Sequence, residues 1–178
     1  MGTILGAVLA GGRSQRFGSD KALARLAGSA LLDHAVASLA PFVATVVVVG
    51  RADAPVATIP DLPRAGLGPL GGIAGALAYA AAAGHDAVLT TACDTPFLPP
   101  DLVAALRAAG AAHAAEAPTV GYWPTRLAPV LLAHLDSDGP RAIRHWAAGA
   151  GVVALCPGLV LANVNTPDDL RRLAAARA

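Results

Sequence analysis

Thr3-Ile-Leu-Gly-Ala-Val-Leu-Ala-Gly-Gly12 is an apolar run that ends in two glycines. A short run with no polar alternation reads as a strand buried on both faces and running into a loop, the pattern of a parallel sheet. Thr45-Val-Val-Val-Val49 is a second such run and Ala87-Val-Leu-Thr-Thr91 a third. Helix patterns separate them. Leu31 to Leu39 follows Gly28-Ser29, Leu70 to Ala83 follows a glycine-rich loop, and Asp101 to Ala112 follows Pro99-Pro100, where proline suits a first helical turn. Thr166-Pro167-Asp168-Asp169 supplies an N-cap, an N1 proline and two acids for the helix dipole ahead of Leu170 to Ala176. Strands alternating with helices predict an α/β fold, a three-layer sandwich around a mostly parallel twisted sheet, with ligands at the carboxyl ends of its strands. The less regular stretch from Gly110 to Leu161, with strand candidates at Val152 to Leu155 and Leu159 to Ala162, reads as an elaboration of that sheet. Residues 1–178 are therefore expected to form one domain.

The formal net charge is +1, which gives no reason to expect a nucleic-acid partner or a polybasic membrane contact. A hydrophobic content of 55% and a mean hydropathy of +0.56 would alone hint at a membrane. About a quarter of the residues are Ala, however, and the two long uncharged stretches, 65–84 and 147–167, are interrupted by Gly, Pro or Asn. No membrane span is expected. With no charged segment ahead of the first apolar run, and Cys93 and Cys156 read as two buried reduced thiols, the expected compartment is the cytoplasm. The same skew marks exceptions: Lys21 is the only Lys beside twelve Arg, and Asn occurs only at 163 and 165. A rare residue type that persists against such a background singles out a position to be tested for a specific chemical need.

Lys21 closes the first loop, Gly11-Gly-Arg-Ser-Gln-Arg-Phe-Gly-Ser-Asp-Lys21. Glycine amides can approach an anion closely, while Arg13, Arg16 and Lys21 bring three cations to the same segment, a combination suited to a triphosphate; the plainer alternative is a solvated basic turn. No Gly-Lys-Ser/Thr is present, so this is not a Walker A loop. After the third strand, Cys93-Asp-Thr-Pro-Phe-Leu-Pro99 sets Asp94 at the sheet's carboxyl edge, either as a hard oxygen ligand for Mg²⁺ or as a turn cap before Pro96. Gly66-Leu-Gly-Pro-Leu-Gly71 matches G-x-G-x-x-G, but Asp61-Leu-Pro-Arg-Ala65 separates it from the nearest strand and Pro69 removes an amide, which argues against a dinucleotide fold. Asn163 and Asn165, spaced i and i+2, point the same way if extended and could meet a ligand; the alternative is a pair of Asx turns. The five His show no metal spacing, Trp123 and Trp146 read as packing residues, and Asp136-Ser-Asp-Gly-Pro140 reads as a turn and helix start.

Taken in order, Leu9-Ala-Gly-Gly-Arg-Ser-x-Arg-Phe-Gly-x-Asp-Lys-Ala22, Leu31-Leu-Asp-His34, Gly68-Pro-Leu-x-Gly72, Cys93-Asp-Thr-Pro-Phe-Leu-Pro99 and Asn163-x-Asn-Thr-Pro-x-Asp-Leu170 resemble the molybdenum cofactor guanylyltransferases, small relatives of the sugar-nucleotide pyrophosphorylases. The resemblance implies a Rossmann-like nucleotidyltransferase fold that transfers GMP from GTP to molybdenum-molybdopterin, releasing pyrophosphate. It implies nucleotide contacts at Leu9, Ala10, Gly11, Gly12, Asp61 and Gly68, charge compensation by Arg16 and Lys21, Mg²⁺ on Asp94, and acceptor contacts at Asn163 and Asn165. It further implies transient contact with molybdenum-insertion proteins or apo-molybdoenzymes. Cytidylyltransferases for the same pterin, the alternative within the fold, more often read Leu-Ala-Ala-Gly where this chain has Ala10-Gly11-Gly12. The chain departs from the pattern at Gly50, where the family often has Asn, and at Ala117-Pro118, where a His-Pro pair is common.

Overall fold

The strand β1 (Ile4–Leu9) is buried at every position. Its alternate side chains serve two cores, Leu5, Ala7 and Leu9 on one face and Ile4 and Val8 on the other, which is why the run has no polar member. The computed structural model describes residues 2–11, 20–137, 139–156, 158 and 161–176. After β1 come a small hairpin of β2 (Arg25–Leu26) and β3 (Ser29–Ala30), then α1 (Leu31–Leu39), β4 (Thr45–Val49) and β5 (Thr58–Ile59). They are followed by α2 (Pro69–Ala82), β6 (Ala87–Ala92), α3 (Pro100–Ala109), β7 (Ala112–Ala114) and β8 (Gly121–Pro124). The chain ends with α4 (Ala128–Asp136), α5 (Ile143–Gly149), β9 (Val153–Leu155) and α6 (Pro167–Ala175).

The main sheet has the order β5-β4-β1-β6-β8-β7-β9. All its neighbours run parallel except where β8 meets β6 and β7, so the mostly parallel α/β sandwich is as expected. Side chains of α2, α4 and α5 pack with Leu5, Val47 and Val88 on one face, and those of α1 and α3 with Val8, Val48 and Leu89 on the other. A third cluster joins Leu26 and Leu31 to Val164, with Phe97, Leu170 and Leu173 against it, and so docks the hairpin and α6. From β1 the chain builds outward through β4 and β5, then returns to β6 on the opposite side of β1. The crevice between the carboxyl ends of β1 and β6 is therefore a topological switch point, where ligands bind in open α/β sheets.

Several boundaries differ from the sequence reading. α3 stops at Ala109 rather than Ala112, because Gly110 turns the chain into the left-handed region (φ 76°) and Ala112 then starts β7. Leu159 and Val160 lie outside the described residues, and Leu161 and Ala162 belong to no strand. α5 begins only at Ile143. Cys156 is exposed rather than buried, since it follows the edge strand β9. Trp123 and Trp146 are core residues as expected, and the Trp123 Nε1–H donates to Thr90 Oγ1 at 2.8 Å. Among the described residues no helix is long and apolar enough to cross a membrane.

Candidate active site

Lys21 and Asp94 meet at the switch point. The Lys21 ammonium donates to Asp94 Oδ2 at 2.9 Å, with both side chains mostly withdrawn from solvent. Asp94 reaches this place because β6 ends in a tight turn. The Thr95 N–H donates to Ala92 O, and Thr91 Oγ1 donates to Thr95 O at 3.0 Å. No backbone N–H among the described residues donates to the Asp94 carboxylate, so it is not capping its turn. Lys21 begins a 3₁₀ turn (Lys21–Leu23) in which the Ala22 N–H is capped by Asp20 Oδ1. A cavity of about 230 Å³ opens between Lys21, Asp94, Gly11 and Pro69.

A second, larger cavity of about 570 Å³ shares Leu9, Gly11 and Pro69 with the first and extends over Gly50, Asp61 and Gly68. Backbone packing shapes it. Ala10 N–H is taken up by Val49 O at 3.0 Å, which leaves Gly11 to offer an amide from this stretch. A Cβ on Gly50 (φ 84°) would lie 2.7 Å from Gly11 Cα, so the loops after β1 and β4 touch backbone to backbone. A side chain at position 50 is therefore sterically excluded here. Likewise, a Cβ on Gly75 would sit 2.2 Å from Pro60 O, and its absence lets α2 press against the segment that carries Asp61. The Asp61 carboxylate faces Gly11, Gly50 and Gly72, makes no hydrogen bond among the described residues, and has its pKa raised from the ordinary aspartate value by burial.

Asn163 and Asn165 flank the buried Val164, whose N–H donates to Asp94 O at 2.8 Å. Both amide side chains are exposed and unbonded among the described residues. The Asx-turn alternative fails because Thr166 and Asp169 do the capping: Asp169 Oδ2 accepts from Asn165 N, Thr166 N and Thr166 Oγ1. Gly12 and Arg16 lie outside the described residues. Cys93, beside Asp94, has its thiol raised to about 11, first by burial and then by the Asp94 charge, so it stays protonated and is no nucleophile. Asp20, given no role of its own by the sequence, and Arg51, marked by nothing there, pair at 3.1 Å on the rim of this site. Asp20 was visible only as the neighbour of Lys21, and Arg51 carried no signal in a chain with twelve Arg.

A roomy cavity lined by several glycines and one carboxylate, joined to a cation–carboxylate pair at the switch point of a mostly parallel sheet, is an arrangement suited to an enzyme that binds a nucleotide. The MobA-like NTP transferase domain model matches residues 6–156, and the chain belongs to that family of nucleotidyltransferases. It is 38% identical over 179 residues to the molybdenum cofactor guanylyltransferase of Rhodobacter capsulatus, covering 95% of this chain and 94% of the relative. It is 40% identical over 187 residues to that of Rhizobium leguminosarum bv. trifolii (strain WSM2304), covering 94% and 90%. The fold also superposes on the crystal structure of molybdopterin-guanine dinucleotide biosynthesis protein A from Archaeoglobus fulgidus, with a TM-score of 0.76 at 24% identity over 97% of this chain and 98% of that one.

Proposed function

We propose that the chain, acting as one domain in the cytoplasm, transfers GMP from GTP to molybdenum-molybdopterin, forming molybdopterin guanine dinucleotide and releasing pyrophosphate. The observation that carries this reading is the Lys21–Asp94 pair beside a cavity whose one carboxylate is Asp61. Guanine presents two adjacent donors, N1–H and N2–H, which a carboxylate accepts together, whereas cytosine sets an acceptor next to its single donor group. The similarity to curated guanylyltransferases at 38% and 40% identity supports the same choice of nucleotide and acceptor.

In the proposed reaction a terminal phosphate oxygen of the acceptor attacks the α-phosphorus in line. The new P–O bond forms as the bond to the bridging oxygen of the β-phosphate breaks, and pyrophosphate leaves with the electron pair. The nucleophile is already an anion, so no general base is needed, and the protonated Cys93 takes no part. Lys21, with Arg16, offsets the charge that develops on the leaving group, while the Gly11 amide and Asp61 orient the nucleotide. Asn163 and Asn165 orient the acceptor beside Asp94.

Asp94 fits a divalent cation, which we take to be Mg²⁺. It is a hard oxygen donor that already holds a cation in the form of the Lys21 ammonium. No group of three or more His, Cys, Asp or Glu able to hold a metal occurs among the described residues, and one carboxylate completed by phosphate oxygens and water is how Mg²⁺ is commonly bound. When bound, such an ion neutralises charge on the reacting phosphates. We propose that the product passes on through transient contact with molybdenum-insertion proteins or apo-molybdoenzymes.

The deciding experiment incubates the protein with Mg²⁺, molybdopterin and each NTP in turn, and follows pyrophosphate release. Release with GTP supports the reading. Release with CTP in its place would make the chain a cytidylyltransferase of the same fold, and failure to release pyrophosphate with any of the NTPs would overturn both.

A further inference from the structure

We infer that Arg51 is a positioning residue for Lys21, acting through Asp20. Arg51 follows Gly50 at the carboxyl end of β4, and its side chain is 15% exposed. It is fixed at two points: Nε donates to Asp53 O at 2.7 Å, and Nη2 meets Asp20 Oδ2 at 3.1 Å. The other carboxylate oxygen of Asp20 accepts from Ala22 N–H at 3.1 Å. One carboxylate thus ties the turn that starts at Lys21 to the far side of the cleft, and Lys21 reaches back to Asp94 at the end of β6. Arg51, Asp20, Lys21 and Asp94 alternate in sign along this path. β4 and β6 therefore hold the two successive residues Asp20 and Lys21 from opposite sides of β1.

Two physical consequences make Arg51 more than a surface charge. A lysine side chain is long and flexible, so the place of its ammonium depends on how firmly its backbone is held, and the Asp20 cap is one of the contacts that hold it. Asp20 is also an anion next to Lys21. With its carboxylate engaged by Arg51 it does not compete with Asp94, or with an incoming phosphate, for the ammonium. The planar fork of a guanidinium, anchored on a carbonyl at one nitrogen and a carboxylate at another, suits this better than a second lysine would. Gly50 can carry no side chain here, so the polar link from the β4 end falls to Arg51.

The inference rests on the proposed role of Lys21 at the nucleotide phosphates, and its test separates the two. Lys21 is the only lysine of the chain, so the rate of amine-selective labelling, read on the Lys21 peptide and apart from the N-terminal α-amine, reports its position with no nucleotide present. Arg51→Ala and Asp20→Ala are expected to raise that rate roughly fivefold or more, with an unchanged far-UV circular dichroism spectrum. Both are also expected to weaken GTP binding about tenfold while leaving guanosine binding unchanged, since only the phosphates meet Lys21. Arg51→Lys, which keeps the charge but not the fork, is expected to fall between the wild type and Arg51→Ala, and it serves as the test variant if Arg51→Ala does not fold. An unchanged labelling rate in Arg51→Ala, or equal losses of GTP and guanosine affinity, would overturn the inference. A wild type that binds no GTP would instead overturn the proposed function, while the labelling arm still judges Arg51.

Discussion

At Asp61 the fold sets a carboxylate where burial disfavours its charge, surrounded by the backbones of Gly11, Gly50 and Gly72. Its pKa in the folded chain lies above the unfolded value, so its ionised form opposes folding. That opposition is present above the folded pKa and disappears as pH falls below the unfolded one. Asp61→Asn is therefore expected to melt no lower than the wild type at neutral pH, and its stability should vary less with pH across the acid range. The same substitution replaces an acceptor pair with one acceptor and one donor, and is expected to reduce the preference for GTP over CTP about tenfold or more. Melting curves together with competition binding check both halves, and a variant that kept its GTP preference would remove Asp61 from base recognition. At the neighbouring pair, Asp94→Ala and Lys21→Ala are each expected to lower the rate at least about a hundredfold, the scale of one electrostatic contact in a transition state. The two variants part on metal. Removing Lys21 takes the ammonium from Asp94 Oδ2 and should tighten Mn²⁺ binding in the absence of nucleotide, whereas removing Asp94 should weaken it. Equal Mn²⁺ affinities would exclude Asp94 as the ligand.

Elements that announce their own ends were legible in the sequence. α1 and β4 match their expected limits, and α6 was marked by Thr166-Pro167-Asp168-Asp169, a cap that works through local hydrogen bonds. β5 and β7 were not legible, because two or three residues become a strand only through the neighbour they pair with. α3 is shorter than its sequence suggests because Gly110 ends the helix within an otherwise helix-forming alanine-rich run. The cap of α6 also carries a pH dependence. Arg172, with the amide of Asn165 and Thr166, holds the Asp169 carboxyl at about 2. The stability it lends is complete above the ordinary carboxylate range and lost as pH falls through that value. Asp169→Asn is expected to speed amide exchange in α6 and in the Asn163–Thr166 segment at neutral pH, matching the wild type only at strongly acid pH; equal exchange at neutral pH would show that the cap does not hold this segment. In α2, Gly75→Ala would drive a methyl group into Pro60 O and so push the helix away from the Asp61 segment. A loss of about 1–3 kcal/mol in stability is expected, with weaker GTP binding alongside. Unfolding curves and GTP titration measure the two effects, and a stable variant with intact binding would show that the segment yields freely.

Across the whole molecule, the candidate site gathers residues from all three packed clusters. Leu9 and Ala92 belong to one, Ala22 to the second, and Val164, bonded to Asp94 O, to the third. Each cluster contributes a stretch that stood out in the sequence, namely the first loop with its only lysine, the acid after the third strand and the asparagine pair. What the sequence withheld was how these stretches are tied together. The Arg51–Asp20 link spans 31 positions between one of twelve arginines and an unremarkable acid, so only the folded chain brings it into view. A ligand that spans the two cavities should therefore stabilise the chain as a unit. At a hundredfold excess over its dissociation constant, a ligand of the native state adds about 2.7 kcal/mol, and at roughly 2–4 °C per kcal/mol for a chain of this size the melting temperature should rise about 5–10 °C. At equal millimolar concentration, GTP with Mg²⁺ is expected to give a larger shift than guanosine, which in the proposed reading fills only the larger cavity. In Lys21→Ala the GTP shift should fall to that of guanosine. Equal shifts for GTP and guanosine in the wild type would mean that the phosphates are not held at the crevice between β1 and β6, and the roles proposed for Lys21 and Asp94 would fall with that result.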